Sequence, residues 1–250
     1  MKNLIVTRLG YSFLALLAVV ILISGCASLG ERGAHQQQAR ELFGEAMAAI
    51  DAGELEDGLA HLVQLRDDYR NTPHGRQAAL EKAYVSYRLG RYEETIELVR
   101  QYADERPDAA SEDVAYALFL RAAAAHARWD EEGTPPNTDY ARQAFAFYRQ
   151  LVERFPEGER VEDALRQMNS LRADLAAEEL RKAQLKMDEG DFVQAAERAA
   201  WVAEQYPGQQ EAADALALQA EALENLGRPR EAEATRRMLQ IKHPEHPAAN

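Results

Sequence analysis

Apolar residues fall into two arrangements along this chain. The first is a block from Tyr11 to Ile23, preceded by Lys2 and Arg8 and followed by Ser24-Gly25. At about 13 residues it is short of the roughly 20 that a helix needs to span a bilayer. A basic start, a short apolar stretch and small residues before a cut site make a secretory signal. The second arrangement begins near Gln36. Ala, Leu, Glu, Arg and Gln dominate there, all strong helix formers. Nowhere do apolar and polar positions alternate with the period of two expected of a half-buried strand. An all-α chain is expected.

The helical part repeats itself. Four glycines recur in one context, Gly53-Glu-Leu, Gly90-Arg-Tyr, Gly190-Asp-Phe and Gly227-Arg-Pro. Seven residues before each stands an alanine, Ala46, Ala83, Ala183 and Ala220. Five residues after each stands a small or short residue, Gly58, Thr95, Ala195 and Ala232. Seventeen residues after the last three glycines stands a proline, Pro107, Pro207 and Pro244. A glycine ends a helix in the left-handed cap that only glycine adopts cheaply. Small residues on either side let two helices cross closely. The proline stops the second helix, because it cannot donate an interior hydrogen bond. Helix, glycine turn, helix and proline stop make one tetratricopeptide-type hairpin, and the register matches that repeat.

The spacing locates one irregular section. Gly53 to Gly90 and Gly190 to Gly227 are each 37 residues apart, but 100 residues separate Gly90 from Gly190. A degenerate repeat fits that gap. Its first helix is predicted over Ser111 to Trp129, with Ser111 as N-cap, and its second over Asn137 to Phe155, with Ala144 at the small-residue position and Pro156 as the stop. The turn glycine is replaced by a longer loop, Asp130 to Asn137. Glu159 to Glu189 then runs 31 residues without glycine or proline, about 46 Å of helix, so its first half bridges back to the preceding repeat. The expected fold is an all-α, tetratricopeptide-type superhelical solenoid of about five helix hairpins, ten helices in all. Repeats 1–2 occupy 36–110, repeats 3–5 occupy 111–245, and 246–250 is a tail. In such a solenoid the first helix of each hairpin lines a concave face. That places Tyr84, Tyr87 and Arg88 toward a groove suited to an extended peptide, with Phe43, Met47 and Ile50 at corresponding positions in repeat 1. Packing of Tyr84 or Tyr87 against a neighbouring helix is the competing reading.

Charge and cysteine usage narrow the setting. The chain carries 29 Lys plus Arg against 42 Asp plus Glu, a net charge of −13. Removing residues 1–25, which hold two of the basic residues and no acidic one, takes it to −15. An acidic surface argues against nucleic acid and against broad adhesion to anionic lipid. The only cysteine, Cys26, directly follows Ile23-Ser24-Gly25. Ile-Ser-Gly-Cys resembles the bacterial lipobox, in which that cysteine takes a diacylglycerol thioether, becomes the first mature residue and is N-acylated. Residues 1–25 are therefore expected to be a lipoprotein signal peptide and 26–35 a lipid-anchored tether, small and polar at Ala27 to Ala34. Proteobacterial lipoproteins held at the inner membrane tend to carry aspartate at the second mature position; Ala27 here is compatible with the outer membrane.

No catalytic equipment is recognisable. The histidines, His35, His61, His74, His126, His243 and His246, are scattered, and none forms a helical His-Glu-x-x-His motif. His243-Pro-Glu-His246 reads as a solvated tail. There is no Gly-rich phosphate loop and no Gly-x-Ser-x-Gly elbow. Adjacent carboxylates such as Glu93-Glu94 and Glu178-Glu179 fit exposed helix faces. No metal and no cofactor besides the lipid on Cys26 is expected, and no enzyme activity.

A lipidated, acidic, five-hairpin chain with a long central helix resembles the BamD family, lipoproteins of the outer-membrane β-barrel assembly machinery. The resemblance runs locally through Asp139-Tyr-Ala-Arg-Gln-Ala-Phe145, Leu151-Val-Glu-Arg-Phe-Pro156, Ala164-Leu-Arg-Gln-Met168, Leu171-Arg-Ala-Asp-Leu175, Gly190-Asp-Phe-Val-Gln-Ala-Ala-Glu-Arg198 and Tyr206-Pro207. It implies a non-catalytic scaffold that sits at the periplasmic face of the outer membrane. C-terminal repeats would dock on the barrel subunit BamA beside other Bam lipoproteins, and N-terminal repeats would receive unfolded outer membrane proteins. Arg198 matches a family arginine implicated in the BamA contact, for which a guanidinium fork suits a partner carboxylate; an intramolecular salt bridge is the alternative. The segment Glu131 to Thr138 is shorter than the Arg-Asp-containing segment common in the family. The other readings are a periplasmic tetratricopeptide lipoprotein serving envelope division or pilus assembly, and an enzyme with an appended solenoid.

Overall fold

A computed structural model describes residues 33–105, 111–131, 133 and 136–249 of the chain. The signal segment, Cys26, most of the tether and Pro107 lie outside the described residues. Ten α-helices and no strand occur among the described residues. They are α1 (33–52), α2 (Leu55–Asp68), α3 (Pro73–Arg88), α4 (Tyr92–Asp104), α5 (Glu112–Asp130), α6 (Thr138–Arg154), α7 (Val161–Asp188), α8 (Phe192–Gln205), α9 (Glu211–Asn225) and α10 (Pro229–Lys242). In sequence they fall as five helix–turn–helix pairs, an all-α tetratricopeptide-type fold. Two compact units are formed, one ending at Glu94 and the other starting at Thr95.

The repeat glycines do what their spacing predicts. Among the described residues, Gly53, Gly90, Gly190 and Gly227 are the ones with positive φ, between 70° and 83°. Each closes its helix with the same pair of hydrogen bonds. At Gly90, its own N–H donates to the Tyr87 carbonyl at 3.0 Å and the Arg91 N–H donates to the Ser86 carbonyl at 2.9 Å. This is the Schellman arrangement, which satisfies carbonyls that the helix end would otherwise leave open. The small positions are buried: Ala46, Ala83, Ala183, Thr95, Ala195 and Ala232 have no exposed surface. At Gly58 an added Cβ would lie 2.6 Å from Ile50 Cγ1, so α1 and α2 cross too closely for a side chain. The proline stops also hold, since α6, α8 and α10 end just before Pro156, Pro207 and Pro244.

In the first unit the core is built from Ala39, Ala46, Ile50, Leu59, Leu62, Leu65, Ala78 and Val85. Ile50 is therefore a core residue, not a groove residue as its register suggested. The close approach of Gly58 draws α2 over it, while Phe43 and Met47 pack partly buried at the margin.

The second unit pairs α5 with α6, α6 with α7, α7 with α8, α8 with α9 and α9 with α10. The long helix α7 has 28 residues and spans about 42 Å. It is shared as expected. Phe145 of α6 lies under Arg172, and α8 and α9 close over the C-terminal half through Ala176, Ala183, Ala199, Val202, Ala215 and Leu218. In the degenerate repeat, Asn137 caps α6 by accepting from the Asp139 N–H at 3.1 Å, whereas Ser111 occupies the cap position of α5 with no side-chain capping bond. Arginine–aromatic stacks fasten this repeat: Arg121 lies over Phe147 at 4.1 Å, Arg128 over Tyr140 at 3.9 Å, and Arg160 over Tyr116 at 4.6 Å.

The segment read as a solvated tail is folded. His246 Nε2 sits 2.9 Å from Asp214 Oδ1, and a short 3-10 helix, Pro247–Ala249, buries Ala249 beside Ala213, Leu216 and Leu239. The prolines break the α-helix as predicted, but apolar surface left open on α9 and α10 draws the small residues back onto it.

Candidate partner-binding surface

Helices α6, α7 and α8 bring five side chains around one surface cavity of about 310 Å³: Arg142, Glu179, Glu197, Arg198 and Trp201. The local sequence explains their convergence. Ala195, Ala199 and Val202 face inward from α8, which leaves the helix face of Val193, Glu197 and Trp201 outward, four residues apart. Val193 and Trp201 are accordingly exposed. Arg198 follows Glu197 around the helix and reaches toward α7.

Glu179 organises the site. It is buried, at 9% exposure, as is Glu178 at 7%; this corrects the reading of Glu178-Glu179 as an exposed carboxylate pair. Cations compensate both, and α6 and α8 flank α7 at this level. Glu179 is 3.0 Å from Lys182 Nζ, 3.5 Å from Arg142 Nη2 and 3.8 Å from Arg198 Nη1. Glu178 receives a two-pronged hydrogen bond from Arg181, both contacts at 2.8 Å. That bond holds the Glu178 carboxyl below the usual carboxylate range, against the opposing effect of burial. Beside the cavity, burial pushes the Tyr206 hydroxyl up; the nearby Arg142 pulls it down and Glu179 adds to the rise. Trp201 stands edge-on to Tyr206, with ring centroids 5.6 Å apart, and keeps 42% of its surface exposed.

The sequence-predicted residues are partly brought together. Arg198 makes its intramolecular ion pair, a long one, while 42% of its side-chain surface remains exposed. In the first unit, Arg88 donates to the Tyr84 hydroxyl at 2.9 Å and lies 5.7 Å from that ring's centroid. Tyr84 also packs on the core, and Tyr87 turns toward Tyr92 at 5.8 Å. Arg142, Glu179 and Trp201 were missed. Only Trp201 carried a signal, an indole on the polar face of an amphipathic helix. Among the described residues no helix is long and apolar enough to cross a membrane, and no group of three His, Cys, Asp or Glu side chains could hold a metal ion.

The model of the YfiO family, described as outer membrane lipoproteins, matches residues 35–238. The chain belongs to this family. YfiO-type relatives include an outer membrane protein assembly factor BamD from Xylella fastidiosa, 26% identical over 241 residues, covering 93% of this chain and 82% of that protein. Another, from Haemophilus influenzae, is 26% identical over 222 residues, covering 86% and 84%. Among solved structures, the TPR2AB-domain:pHSP90 complex of yeast Sti1 is similar at a TM-score of 0.45 and 15% identity, covering 85% of this chain and 80% of that one.

Proposed function

We propose that this chain is a non-catalytic scaffold for the assembly of β-barrel proteins in the outer membrane, carried there by lipid on Cys26 at the periplasmic face. Membership of the YfiO family over residues 35–238 carries the reading, and the relatives' printed role as outer membrane protein assembly factors gives it content. The second unit docks a BamA-like barrel subunit through Arg198. Two features support that role: the guanidinium is half-exposed, and the indole of Trp201 lines the same cavity. Such a pairing of arginine with a large aromatic is the composition of an interface hot spot. The first unit offers Tyr84, Tyr87 and Arg88 to unfolded barrel substrates, and other Bam lipoproteins complete the assembly.

Affinity purification of the lipidated chain from detergent-solubilised envelopes tests this. A large β-barrel protein with periplasmic repeats should be recovered, and Arg198→Glu should deplete it while leaving the helical circular dichroism unchanged. Undiminished recovery with Arg198→Glu removes that residue from the contact. Recovery of division or pilus proteins without any barrel subunit overturns the assembly reading itself.

A further inference from the structure

A second surface of the same unit has the form of a vacant helix seat. The two C-terminal repeats are offset by 37 residues, from Gly190 to Gly227. In the earlier of them, Ala215 and Leu218 of α9 settle on Ala176, Ala183, Ala199 and Val202, with Leu180 and Met187 at the margin. Advancing those supporting positions by one repeat gives Ala213, Ala220, Arg236 and Leu239, with Ala217 and Glu224 at the margin. All of these except Ala213 line a groove of about 590 Å³ on α9 and α10, walled also by Leu180 and Gln184 of α7 and by Ala248. Part of the surface that receives a helix one repeat earlier thus recurs, with Arg236 in place of Ala199, and among the described residues no helix lies on it. The chain's own short turn fills one end, where Ala249 is buried against Leu239 and Ala213.

The repetition is not chemically neutral. Met187 becomes Glu224, Gln184 becomes Glu221, and Asp214 stands at the same rim. Two of these carboxylates already have partners, Glu224 in Arg236 at 2.8 Å and Asp214 in His246 at 2.9 Å. Glu221 is exposed and enters no ion pair among the described residues. A floor of small residues and leucine, crossed by the Arg236–Glu224 pair and rimmed by acids, selects its occupant by shape and charge.

We infer that this groove seats an amphipathic helix of a partner protein, with a small residue and a leucine three positions apart on its buried face and lysine or arginine along its flanks. The inference is independent of the Arg198 surface, which lies on α6, α7 and α8. A helix of that kind would lie on α9 and α10 as α9 lies on α7 and α8, and its flanking cations would meet Glu221 first, with Asp214 and Glu224 beside it.

The test uses the full mature chain and two synthetic peptides. One copies α9, Glu211–Asn225, with its acidic residues replaced by lysine; the other keeps the acids. Fluorescence anisotropy should show the basic peptide binding at least tenfold tighter than the acidic one. Ala217→Arg should weaken the basic peptide tenfold or more by blocking the floor. Glu221→Lys, at an exposed position that leaves folding intact, should narrow or invert the preference between the peptides. Glu233→Lys, on the outward face of α10, should change nothing. No binding of the basic peptide, or binding indifferent to both Ala217→Arg and Glu221→Lys, overturns the inference. Self-association of the chain that is abolished by Ala217→Arg assigns the seat to a second copy and overturns it as well.

Discussion

Gly44 and Gly90 allow a test in which one chemical change has opposite signs. Gly44 lies inside α1 and an added Cβ meets nothing within 4 Å. Gly90 is equally open, but its φ is +71°. At Gly44, alanine restricts the unfolded chain and suits the helix, so Gly44→Ala should stabilise by about 0.5–1 kcal/mol. At Gly90 the same methyl group meets the following carbonyl in the left-handed conformation, a cost of about 1–2 kcal/mol. The restricted unfolded chain offsets only part of it. Gly90→Ala should therefore destabilise by roughly 1 kcal/mol, Gly90→Asn by less, because asparagine tolerates that conformation, and Gly90→Val by the most. Thermal melts followed by circular dichroism read this directly: for a protein of this size 1 kcal/mol moves the midpoint by roughly 2–4 °C. The order should be Gly44→Ala above wild type, then Gly90→Asn, Gly90→Ala and Gly90→Val below it. Since neither site has a steric neighbour, backbone conformation alone separates them. A Gly90→Ala protein that melts above wild type would show that residue 90 is not left-handed, and the repeat register would lose its physical basis.

Other residues make further cases. Arg181 depresses the Glu178 carboxyl in the folded state. Its contribution is therefore present above the unfolded pKa, near ~4.3, and is lost as pH falls through the lower folded value. Urea midpoints of Glu178→Gln should lie below wild type at neutral pH and converge with it in acid; a constant gap would deny the ion pair. Trp201→Ala should leave the fold intact but weaken capture of the barrel subunit by about 30-fold, the cost of losing a central interface aromatic of ~2 kcal/mol, and an unchanged titration would place the partner elsewhere. His246→Ala should lower stability by about 1 kcal/mol and expose the C-terminal segment to carboxypeptidase, which would not occur if that segment were already free. Arg198→Ala should cost under about 1 kcal/mol, whereas Glu179→Ala should cost clearly more; equal costs would mean that Arg198 serves the fold.

What was legible from the sequence followed from local chemistry. Gly53, Gly90, Gly190 and Gly227 were identifiable because only one residue type fits a left-handed cap cheaply. Prolines 156, 207 and 244 were legible because a missing N–H and a fixed φ stop a helix whatever surrounds it. The bridging role of α7 followed from length alone. The failures involved contacts between helices distant in sequence. Ile50 became core because Gly58 draws α2 onto it. Glu178 and Glu179 looked like a solvated pair because their compensating cations come partly from α6 and α8, outside any local window. His246 finds Asp214 32 residues away. Periodicity says which face of a helix is apolar; it does not say which charged residue will be covered by the next helix.

The three cations around Glu179 explain how one surface can combine a structural role with a recognition role. A buried carboxylate that loses its only partner is left with an uncompensated charge, which costs several kcal/mol. Glu179 does not face that penalty when Arg198 turns away. Lys182 is closest at 3.0 Å and Arg142 follows at 3.5 Å, whereas Arg198 holds on at 3.8 Å. Arg198 is thus the most loosely held of the three and can be withdrawn while two nearer cations remain. Its guanidinium has five donors and makes no hydrogen bond to Glu179, only the longer ion pair. In the proposed complex a partner carboxylate would meet Arg198 beside Glu197, which lines the same cavity, on a protein whose net charge is −13. The acidic remainder repels acidic partners at long range, within the limits of salt screening, so a guanidinium whose donors Glu179 does not take up is a place where a partner carboxylate can be received. Glu179 fixes where the cations stand, and its incomplete use of Arg198 leaves that side chain available to an incoming carboxylate.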